Sequence, residues 1–217
     1  MWPNSDTMSK EWWEEIKALD NLSERLGKHS RNTAPHQNEI HPTAILNASE
    51  GPIILGSNVK ICEGASLKGP LEIGDNVIVG KNAQIRGPSV IGSNVLLGFN
   101  VEVKRSIIGT GTKLGPGSYV GDSFLEKNVF FGALVRTSNY RLDNKTISVL
   151  GPNDQWIDTG MDKLGCLVGQ STSLGIGCKI YPGREVPRYS LFEMDVHIKK
   201  NLSPGHYRIK QDLEQVD

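Results

Sequence analysis

The chain has 217 residues, with 24 lysines and arginines against 24 aspartates and glutamates, so its formal net charge is zero. This balance argues against a protein that holds duplex nucleic acid on a general basic face. No apolar run approaches the ~18 residues of a membrane-spanning helix, and the opening MWPNSDTMSKEWWEE lacks the layout of a signal peptide. We therefore expect a globular cytoplasmic protein of one domain, or of two small ones.

The cysteines give no indication of metal or redox chemistry. There are three, Cys62, Cys166 and Cys178, which is an odd number, and their spacing does not match a zinc site. A disulfide framework is not expected either. We expect the three side chains to pack as small apolar groups, and we expect no bound metal.

The first predicted element is an amphipathic helix over residues 9–26. Ser9 can cap its N-terminus and Gly27 can end it. The residues that share its apolar face are Trp12, Ile16, Leu19 and Leu26. Trp12 and Trp13 could form a platform for a cofactor, but their helical spacing favours a packing contact or a trimer contact.

Aliphatic residues then recur every six positions. Nine consecutive steps carry Leu55, Ile61, Leu67, Ile73, Val79, Ile85, Ile91, Leu97 and Val103. After two one-residue contractions the series runs through Ile108, Leu114, Val120, Leu125 and Phe131, and it resumes at Val168, Leu174 and Ile180. In 11 of these 17 hexads the fourth position is Asn or Gly, the residues that best tolerate a left-handed backbone. Each hexad therefore predicts a short strand followed by a corner.

The sequence also repeats with a longer period. Gly51-Pro52, Gly69-Pro70 and Gly87-Pro88 recur every 18 residues, which is the length of three hexads. Three hexads thus form one coil with three flat sides, and each coil buries its apolar side only against its neighbours. The repeat predicts a solenoid of about six or seven coils.

Three cations follow the 18-residue period. Lys68, Arg86 and Lys104 each come directly after an inward aliphatic residue, so they lie one above another on successive coils. Stacked like charges repel, which favours a bound anion such as a phosphate held between them. The alternative is a solvated surface stripe whose long side chains splay apart. Spacing alone leaves both interpretations open.

Several motifs of the chain resemble one known family. These motifs are IHPTA (40–44), VEVKRSIIGTGTK (101–113), SYVGDS (118–123), NVFFGA (128–133), TSNYR (137–141) and DTGMDKLGCLVG (158–169). They resemble the C-terminal β-helix of the bifunctional UDP-N-acetylglucosamine pyrophosphorylase/glucosamine-1-phosphate N-acetyltransferase and of related sugar-1-phosphate nucleotidyltransferases. The resemblance implies an all-β fold, a left-handed parallel β-helix. It also implies a homotrimer whose sites lie between neighbouring prisms, with a long loop reaching across.

We expect three segments. Residues 1–39 hold the N-terminal α-helix and a linker, and residues 40–187 hold the β-helix, interrupted by an inserted loop over 138–165. Residues 188–217 form a C-terminal strand and tail, because apolar and polar residues alternate after Pro187. The family's nucleotidyltransferase domain is not expected.

The resemblance assigns a sugar-phosphate and acetyl-CoA pocket to particular positions. It implies that Arg86, Lys104, Tyr119, Asn139 and Lys145 contact the substrate, and that Ala133, Asn139 and Tyr140 contact acetyl-CoA. The chain departs from the family at the catalytic histidine, whose position is taken by Pro116, and at Phe130 and Leu134-Val135. Asp122 or Glu102 is the candidate substitute base, acting through a water.

Two functions follow as expectations. The first is an acetyl-CoA-dependent transferase that N-acetylates an amino-sugar 1-phosphate in nucleotide-sugar biosynthesis, slowed by the missing histidine. The alternative is a non-catalytic sugar-phosphate-binding or assembly subunit that partners a separate nucleotidyltransferase. Pro116 favours the alternative, whereas the retained pocket residues favour the transferase.

Overall fold

The computed structural model describes residues 11–27, 37–151 and 154–210. At the N-terminus, helix α1 spans Trp12–Ala18, a 3₁₀ turn spans Leu19–Asn21 and helix α2 spans Leu22–Gly27. These elements occupy the range that the sequence predicted to be helical. The predicted cap, Ser9, lies outside the described residues.

The rest of the described chain consists of short strands. In chain order they are β1 (Glu39–Ile40), β2 (Ile45–Asn47), β3 (Ile53–Leu55), β4 (Lys60–Ile61), β5 (Ser66–Lys68), β6 (Leu71–Ile73), β7 (Ile78–Val79), β8 (Gln84–Arg86), β9 (Ser89–Ile91), β10 (Leu96–Leu97), β11 (Glu102–Lys104), β12 (Ile107–Ile108), β13 (Lys113–Leu114), β14 (Tyr119–Gly121), β15 (Phe124–Leu125), β16 (Phe130–Phe131), β17 (Arg136–Thr137), β18 (Ser148–Leu150), β19 (Trp156–Asp158), β20 (Cys166–Val168), β21 (Ser173–Leu174), β22 (Lys179–Ile180), β23 (Arg184–Val186), β24 (Leu191–Phe192), β25 (His197–Ile198) and β26 (His206–Tyr207).

Three parallel sheets form the three faces of a left-handed β-helix. Face A has the order β1-β4-β7-β10-β13-β16-β21-β24-β26, face B the order β2-β5-β8-β11-β14-β17-β22-β25, and face C the order β23-β20-β15-β12-β9-β6-β3. Every third strand thus joins the same sheet, as the three-hexad coil predicted. Strands β18 and β19 form a separate antiparallel hairpin inside the predicted insertion.

The solenoid is longer than the sequence indicated. Face A contains nine strands, so the helix has about nine turns rather than six or seven. The extra coils lie beyond Pro187, where β24 pairs in parallel with β21, and β26 pairs in parallel with β24. The expected strand appendix therefore continues the solenoid, because Phe192 and Ile198 fill its interior as the earlier aliphatic residues do.

The interior of the prism is a continuous apolar column. The residues that the hexads predicted to face inward, such as Ile85, Val103 and Leu114, are completely buried. All three cysteines are free, with Cys166 and Cys178 in this column and Cys62 partly exposed. Because each coil contributes one such residue to each face, burial of apolar surface fixes the register of the whole stack.

The corners between strands adopt the left-handed backbone that the hexads predicted. Positive φ angles near 55–60° occur at the asparagines of the fourth position, which are Asn58, Asn76, Asn82, Asn94, Asn100 and Asn128. Along one edge these side chains also bond to each other. The Nδ2 of Asn58 donates to Oδ1 of Asn76 at 3.2 Å, and Asn76 donates to Asn94 at 3.3 Å.

The N-terminal helices and the insertion cover face C. Trp12, Trp13 and Ile16 of α1 are buried in a second apolar cluster with Ile107 and Phe124 of face C. The insertion contributes Ile147, Val149, Met161 and Leu164 to the same cluster. This arrangement agrees with the packing interpretation of the two tryptophans. The apolar residues of the insertion thus pack against its own prism.

Neither helix among the residues that the structure describes is long enough and apolar enough to cross a bilayer.

The corner conformation predicts a particular order of stability at Asn76. Asn76→Ala and Asn76→Gly lose the same side-chain hydrogen bonds, but only alanine pays the steric cost of φ +55°. We expect the alanine variant to be less stable than the glycine variant by about 1 kcal/mol in urea unfolding. An alanine variant as stable as the glycine variant would contradict the account of the corners.

Candidate functional site

Face B brings most of the predicted site residues onto one surface. In its register, Glu102 lies beside Tyr119, and Tyr119 lies beside Arg136. Arg86 lies beside Lys104 in the neighbouring outward column. The side chains that the resemblance implied therefore stand next to each other because the inward residues of the same strands fix the stacking.

Each cation of the predicted ladder has a carboxylate partner within the chain. Lys68 Nζ lies 2.6 Å from Glu50, and Lys104 Nζ lies 3.5 Å from Asp122. The Arg86 guanidinium is paired with Glu102. The repulsion between stacked cations is thus offset without an external anion, which favours the solvated stripe. Binding of a phosphate by Arg86 and Lys104 stays a prediction.

The centre of the surface is the buried carboxylate of Asp122. Its side chain is only 1% exposed. Oδ1 lies 3.3 Å from a guanidinium nitrogen of Arg105, and Oδ2 accepts a hydrogen bond from Nδ2 of Asn139 as well as facing Lys104. Two cations and an amide therefore satisfy the buried charge. We call Lys104, Arg105, Tyr119, Asp122 and Asn139 the Asp122 cluster.

Tyr119 and Asn139 form the open side of the Asp122 cluster. Asn139 Nδ2 lies 3.3 Å from the Tyr119 hydroxyl, to which it donates. A Cβ on Gly121 would come within 2.4 Å of that hydroxyl oxygen, so only glycine lets the ring lie there. Burial raises the pKa of Tyr119, and the carboxylates of Asp122 and Glu102 raise it further. The hydroxyl therefore keeps its proton at neutral pH and can donate to a ligand.

Arg105 connects the Asp122 cluster to the N-terminal helices. Its guanidinium donates to both carboxylate oxygens of Asp20 at 3.0–3.2 Å while also facing Asp122. The role of Arg105 was not predicted from the sequence. The basic pair Lys104-Arg105 was visible, but Asp20 lies 85 positions away in a segment without repeats.

The position of the family histidine lies on an exposed corner between faces A and B. Pro116 offers no ionisable group there, and its carbonyl accepts a hydrogen bond from the Leu134 N–H at 2.8 Å. Ala133 lies on the next corner, and its carbonyl accepts from the Gly177 N–H at 3.0 Å. Phe130 is 47% exposed and points out from face A.

Of the predicted site residues in the insertion, Tyr140 lies near the residues of face B and Lys145 does not. Tyr140 lines a groove of about 850 Å³ together with Tyr119, and its hydroxyl donates to Asn144. Lys145 is exposed, and its backbone N–H donates to Asp143 at 3.4 Å. The structure thus groups Tyr140 with the face B residues but does not bring the Lys145 side chain into contact with them.

The two candidate bases differ in access. Asp122 is buried and its oxygens are engaged by three donors, so no substrate reaches it in this arrangement. Glu102 is 35% exposed beside Tyr119 and shares its carboxylate with Arg86. Of the two, only Glu102 lies where a water could connect it to a bound amine. In the part of the chain that the structure describes, no three histidine, cysteine or acidic side chains converge as a metal site.

Comparison with known proteins assigns the chain to a family. Residues 70–105 match the family described as bacterial transferase hexapeptide (six repeats). The chain is 36% identical over 204 residues to a protein named "Uncharacterized acetyltransferase YaiX" of Escherichia coli O6:K15:H31 (strain 536 / UPEC), covering 93% of this chain and 88% of that protein. This chain is a member of the hexapeptide-repeat transferase family.

More distant relatives of this hexapeptide-repeat chain are named as bifunctional proteins. The bifunctional sugar-1-phosphate nucleotidylyltransferase/acetyltransferase of Sulfurisphaera tokodaii is 32% identical over 105 residues, which are 48% of this chain and 26% of that protein. The bifunctional protein GlmU of Methanococcus maripaludis (strain C5) is 31% identical over 110 residues, or 51% of this chain and 26% of that protein. The chain therefore matches about a quarter of the length of these relatives.

The chain also superposes, more weakly, on solved structures. A UDP-N-acetylglucosamine acyltransferase from Campylobacter jejuni superposes with a TM-score of 0.44 at 16% identity, over 76% of this chain and 69% of that one.

In this hexapeptide-repeat chain, substituting Arg105 should lower the free energy of unfolding more than substituting its exposed partner Asp20. Arg105→Gln leaves the buried Asp122 with one cation fewer, so we expect a loss of about 2 kcal/mol or more. Asp20→Asn removes an exposed partner of the same guanidinium and should cost under ~1 kcal/mol. Urea unfolding followed by circular dichroism measures both. Equal losses would show that Asp122 does not depend on Arg105.

Proposed function

We propose that the protein transfers an acetyl group from acetyl-CoA to the amine of an amino-sugar phosphate. Its family supports transfer of an acyl group, and the observation that carries the proposal is the Asp122 cluster on face B. That cluster holds Lys104, Tyr119 and Asn139 together at the positions where the resemblance implies contact with sugar phosphate and acetyl donor.

Different residues of the site have different roles in such a reaction. Arg86 and Lys104 offer positive charge to the phosphate of the acceptor, and the protonated Tyr119 hydroxyl donates a hydrogen bond to it. Asp122 orients Lys104 and Asn139 from beneath, so both enter the reaction already positioned. These contacts hold the amine of the sugar against the thioester carbonyl.

The proton of the attacking amine needs an acceptor. The usual histidine is replaced by Pro116, and Asp122 is sealed beneath the surface. We assign the role to Glu102, which takes the proton through a water because it is partly exposed beside Tyr119.

A second candidate function follows from Pro116. Without an ionisable group on the corner, the pocket could bind a sugar phosphate and carry out no transfer, as a subunit partnering a separate nucleotidyltransferase. The two functions differ in one respect, because only the transferase needs to bind acetyl-CoA.

Because Pro116 occupies the position of the family histidine, a histidine placed there should restore a general base. We expect Pro116→His to raise the rate of acetylation of glucosamine 1-phosphate by about tenfold or more, measured by thiol release from acetyl-CoA. Pro116→Ala is the matched control and should leave the rate unchanged, whereas Glu102→Gln should lower it.

Two results would contradict this assignment. A fast native rate that Glu102→Gln does not change would show that another residue removes the proton. The absence of any gain in Pro116→His, with acetyl-CoA also failing to bind, would identify a binding subunit instead.

We further propose that the protein is a homotrimer. The outward column of face A carries four exposed apolar residues, Ile78, Leu96, Phe130 and Leu191, with Lys113 and Ser173 between them. Exposed aliphatic and aromatic residues aligned on one flat face favour contact with another copy of the prism. Face C is already covered by α1, α2 and the insertion, which leaves faces A and B for assembly.

The trimer predicts a mass of about 71 kDa, three times 23.8 kDa, in light scattering. Leu96→Glu places a charge in the apolar column and should shift the protein toward the monomer. Asn21→Glu, on the exposed side of the N-terminal helical segment over face C, is the matched control and should not. A native monomer at micromolar concentration would rule out the assembly and any site shared between copies.

A further inference from the structure

Arg105 is shared between two carboxylates that belong to different parts of the chain. Its Nε and one terminal nitrogen donate to Asp20, on the N-terminal helical segment, at 3.0–3.2 Å. Its other terminal nitrogen donates to Oδ1 of Asp122 at 3.3 Å. The Asp20 side chain is 64% exposed and the Asp122 side chain is 1% exposed. One cation is therefore divided between a surface carboxylate and a buried one.

Arg105 and Asp122 lie on the corner between faces B and C in successive coils. The N–H of Asp122 donates to the carbonyl of Lys104 at 2.9 Å, which fixes how the two coils stack there. Arg105 adopts a φ of +44°, a backbone conformation that costs about 1–2 kcal/mol at a residue with a Cβ. Most other corners carry asparagine or glycine at such a position. The ion pair with Asp122 offsets the cost of an arginine at this corner.

The charge that Lys104 presents on face B depends on Arg105. Oδ2 of Asp122 faces Lys104 Nζ at 3.5 Å and accepts a hydrogen bond from Asn139. With Arg105 on Oδ1, two positive charges face one negative charge, so Lys104 keeps charge that it can offer to an anion. Without Arg105, Lys104 alone would have to neutralise the buried carboxylate, because an uncompensated buried charge is costly.

Asp20 opposes this effect of Arg105. It accepts from two nitrogens of the guanidinium, whereas Asp122 accepts from one. Its negative charge also brings the formal charge of Lys104, Arg105, Asp122 and Asp20 together to zero. If the charge of Asp20 is removed, Arg105 becomes wholly available to Asp122. Both changes raise the positive potential at Lys104.

The helical segment that carries Asp20 is anchored without the help of Arg105. Leu19 and Leu22, on either side of Asp20, are at most 1% exposed and belong to the apolar cluster that covers face C. Trp12, at the start of α1, donates from Nε1 to Glu185 at 3.1 Å. The segment therefore holds Asp20 beside Arg105, and a substitution of Asp20 should leave the segment in place.

We propose that Asp20, acting through Arg105, sets the affinity of face B for an anionic group bound at Lys104. Arg105 is a positioning residue, because it acts through Asp122. The N-terminal helical segment thereby lowers the affinity of the site, and any change that withdraws Asp20 from Arg105 raises it. This inference rests on the proposed function, since it takes the anionic group to be the phosphate of the acceptor.

Calorimetric titration with glucosamine 1-phosphate tests the sign of each contribution. We expect Asp20→Asn to tighten binding by about threefold, and Arg105→Gln to weaken it by about tenfold. Glu14→Gln is the matched control, because it removes one negative charge from α1, where the carboxylate is paired with Lys17. It should leave the affinity unchanged. In turnover, Asp20→Asn should lower the KM for glucosamine 1-phosphate and leave kcat unchanged.

Two further variants distinguish a route through Arg105 from a general effect of charge. In the Arg105→Gln background, Asp20→Asn should no longer change the affinity. Asp20→Glu keeps the charge and should keep the native affinity. Weaker binding by Asp20→Asn, or the same tightening in Glu14→Gln as in Asp20→Asn, would overturn the inference. These single variants decide the question even if Arg105→Gln fails to fold.

The ionisation of Tyr119 gives a readout that needs no ligand. Burial raises the pKa of Tyr119, and the carboxylates of Asp122 and Glu102 raise it further. The charged side chains around its ring are Asp122, Glu102, Arg86 and Arg136. Fuller neutralisation of Asp122 in Asp20→Asn should lower the pKa of Tyr119, whereas Glu14→Gln should not change it.

Ultraviolet absorbance of the tyrosinate measures this pKa, with Tyr119→Phe protein as the reference that identifies the contribution of Tyr119. A structural role of Asp20 that is confined to holding the helices would not move it. A Tyr119 pKa that is the same in native protein and Asp20→Asn would contradict the link through Arg105.

Failure of this inference and failure of the proposed function can be told apart. If glucosamine 1-phosphate does not bind but the pKa of Tyr119 responds to Asp20→Asn, the acceptor is wrong and the link from Asp20 to the Asp122 cluster is supported. If glucosamine 1-phosphate is acetylated but neither its affinity nor the Tyr119 pKa responds to Asp20→Asn, the transferase is supported and the inference is overturned.

Discussion

Burial of one aliphatic side chain per hexad is the interaction on which the rest of the structure depends. Residues such as Ile85 and Val103 are completely enclosed, and each is stacked on the equivalent residue of the next coil. A slip of one residue would turn these side chains outward, so the apolar column fixes the register of all three faces. The outward residues of face B, including Arg86, Lys104 and Tyr119, acquire fixed neighbours as a consequence.

The same constraint explains why the site is electrostatically dense. Strands about 4.8 Å apart force outward charges close together. The N-terminal half of face B resolves this with internal carboxylates, most tightly at Asp122, whose burial requires both Lys104 and Arg105. The C-terminal half leaves its cations unmatched among the described residues. One sheet therefore presents a neutralised, preorganised cluster next to a surface that attracts anions.

Much of this arrangement could be predicted from the sequence because its causes are local and periodic. The hexads predicted the strands, the corners and the adjacency of Lys68, Arg86 and Lys104. The final coils were missed although Phe192 and Ile198 keep the six-residue spacing, because apolar and polar residues also alternate there, which is the pattern of an ordinary strand. Contacts without periodicity could not be predicted. Arg105 reaches Asp20 across 85 residues, and the path of the insertion over face C depends on tertiary packing with α1.

We propose that face B forms a site for both an acetyl donor and a sugar phosphate. Calorimetric titration of the native protein with acetyl-CoA, repeated with glucosamine 1-phosphate present at saturation, tests it most directly. We expect acetyl-CoA to bind saturably at one site per chain, and we expect that binding to persist when the sugar phosphate is bound. Binding of the sugar phosphate with no binding of acetyl-CoA at millimolar concentration would contradict it.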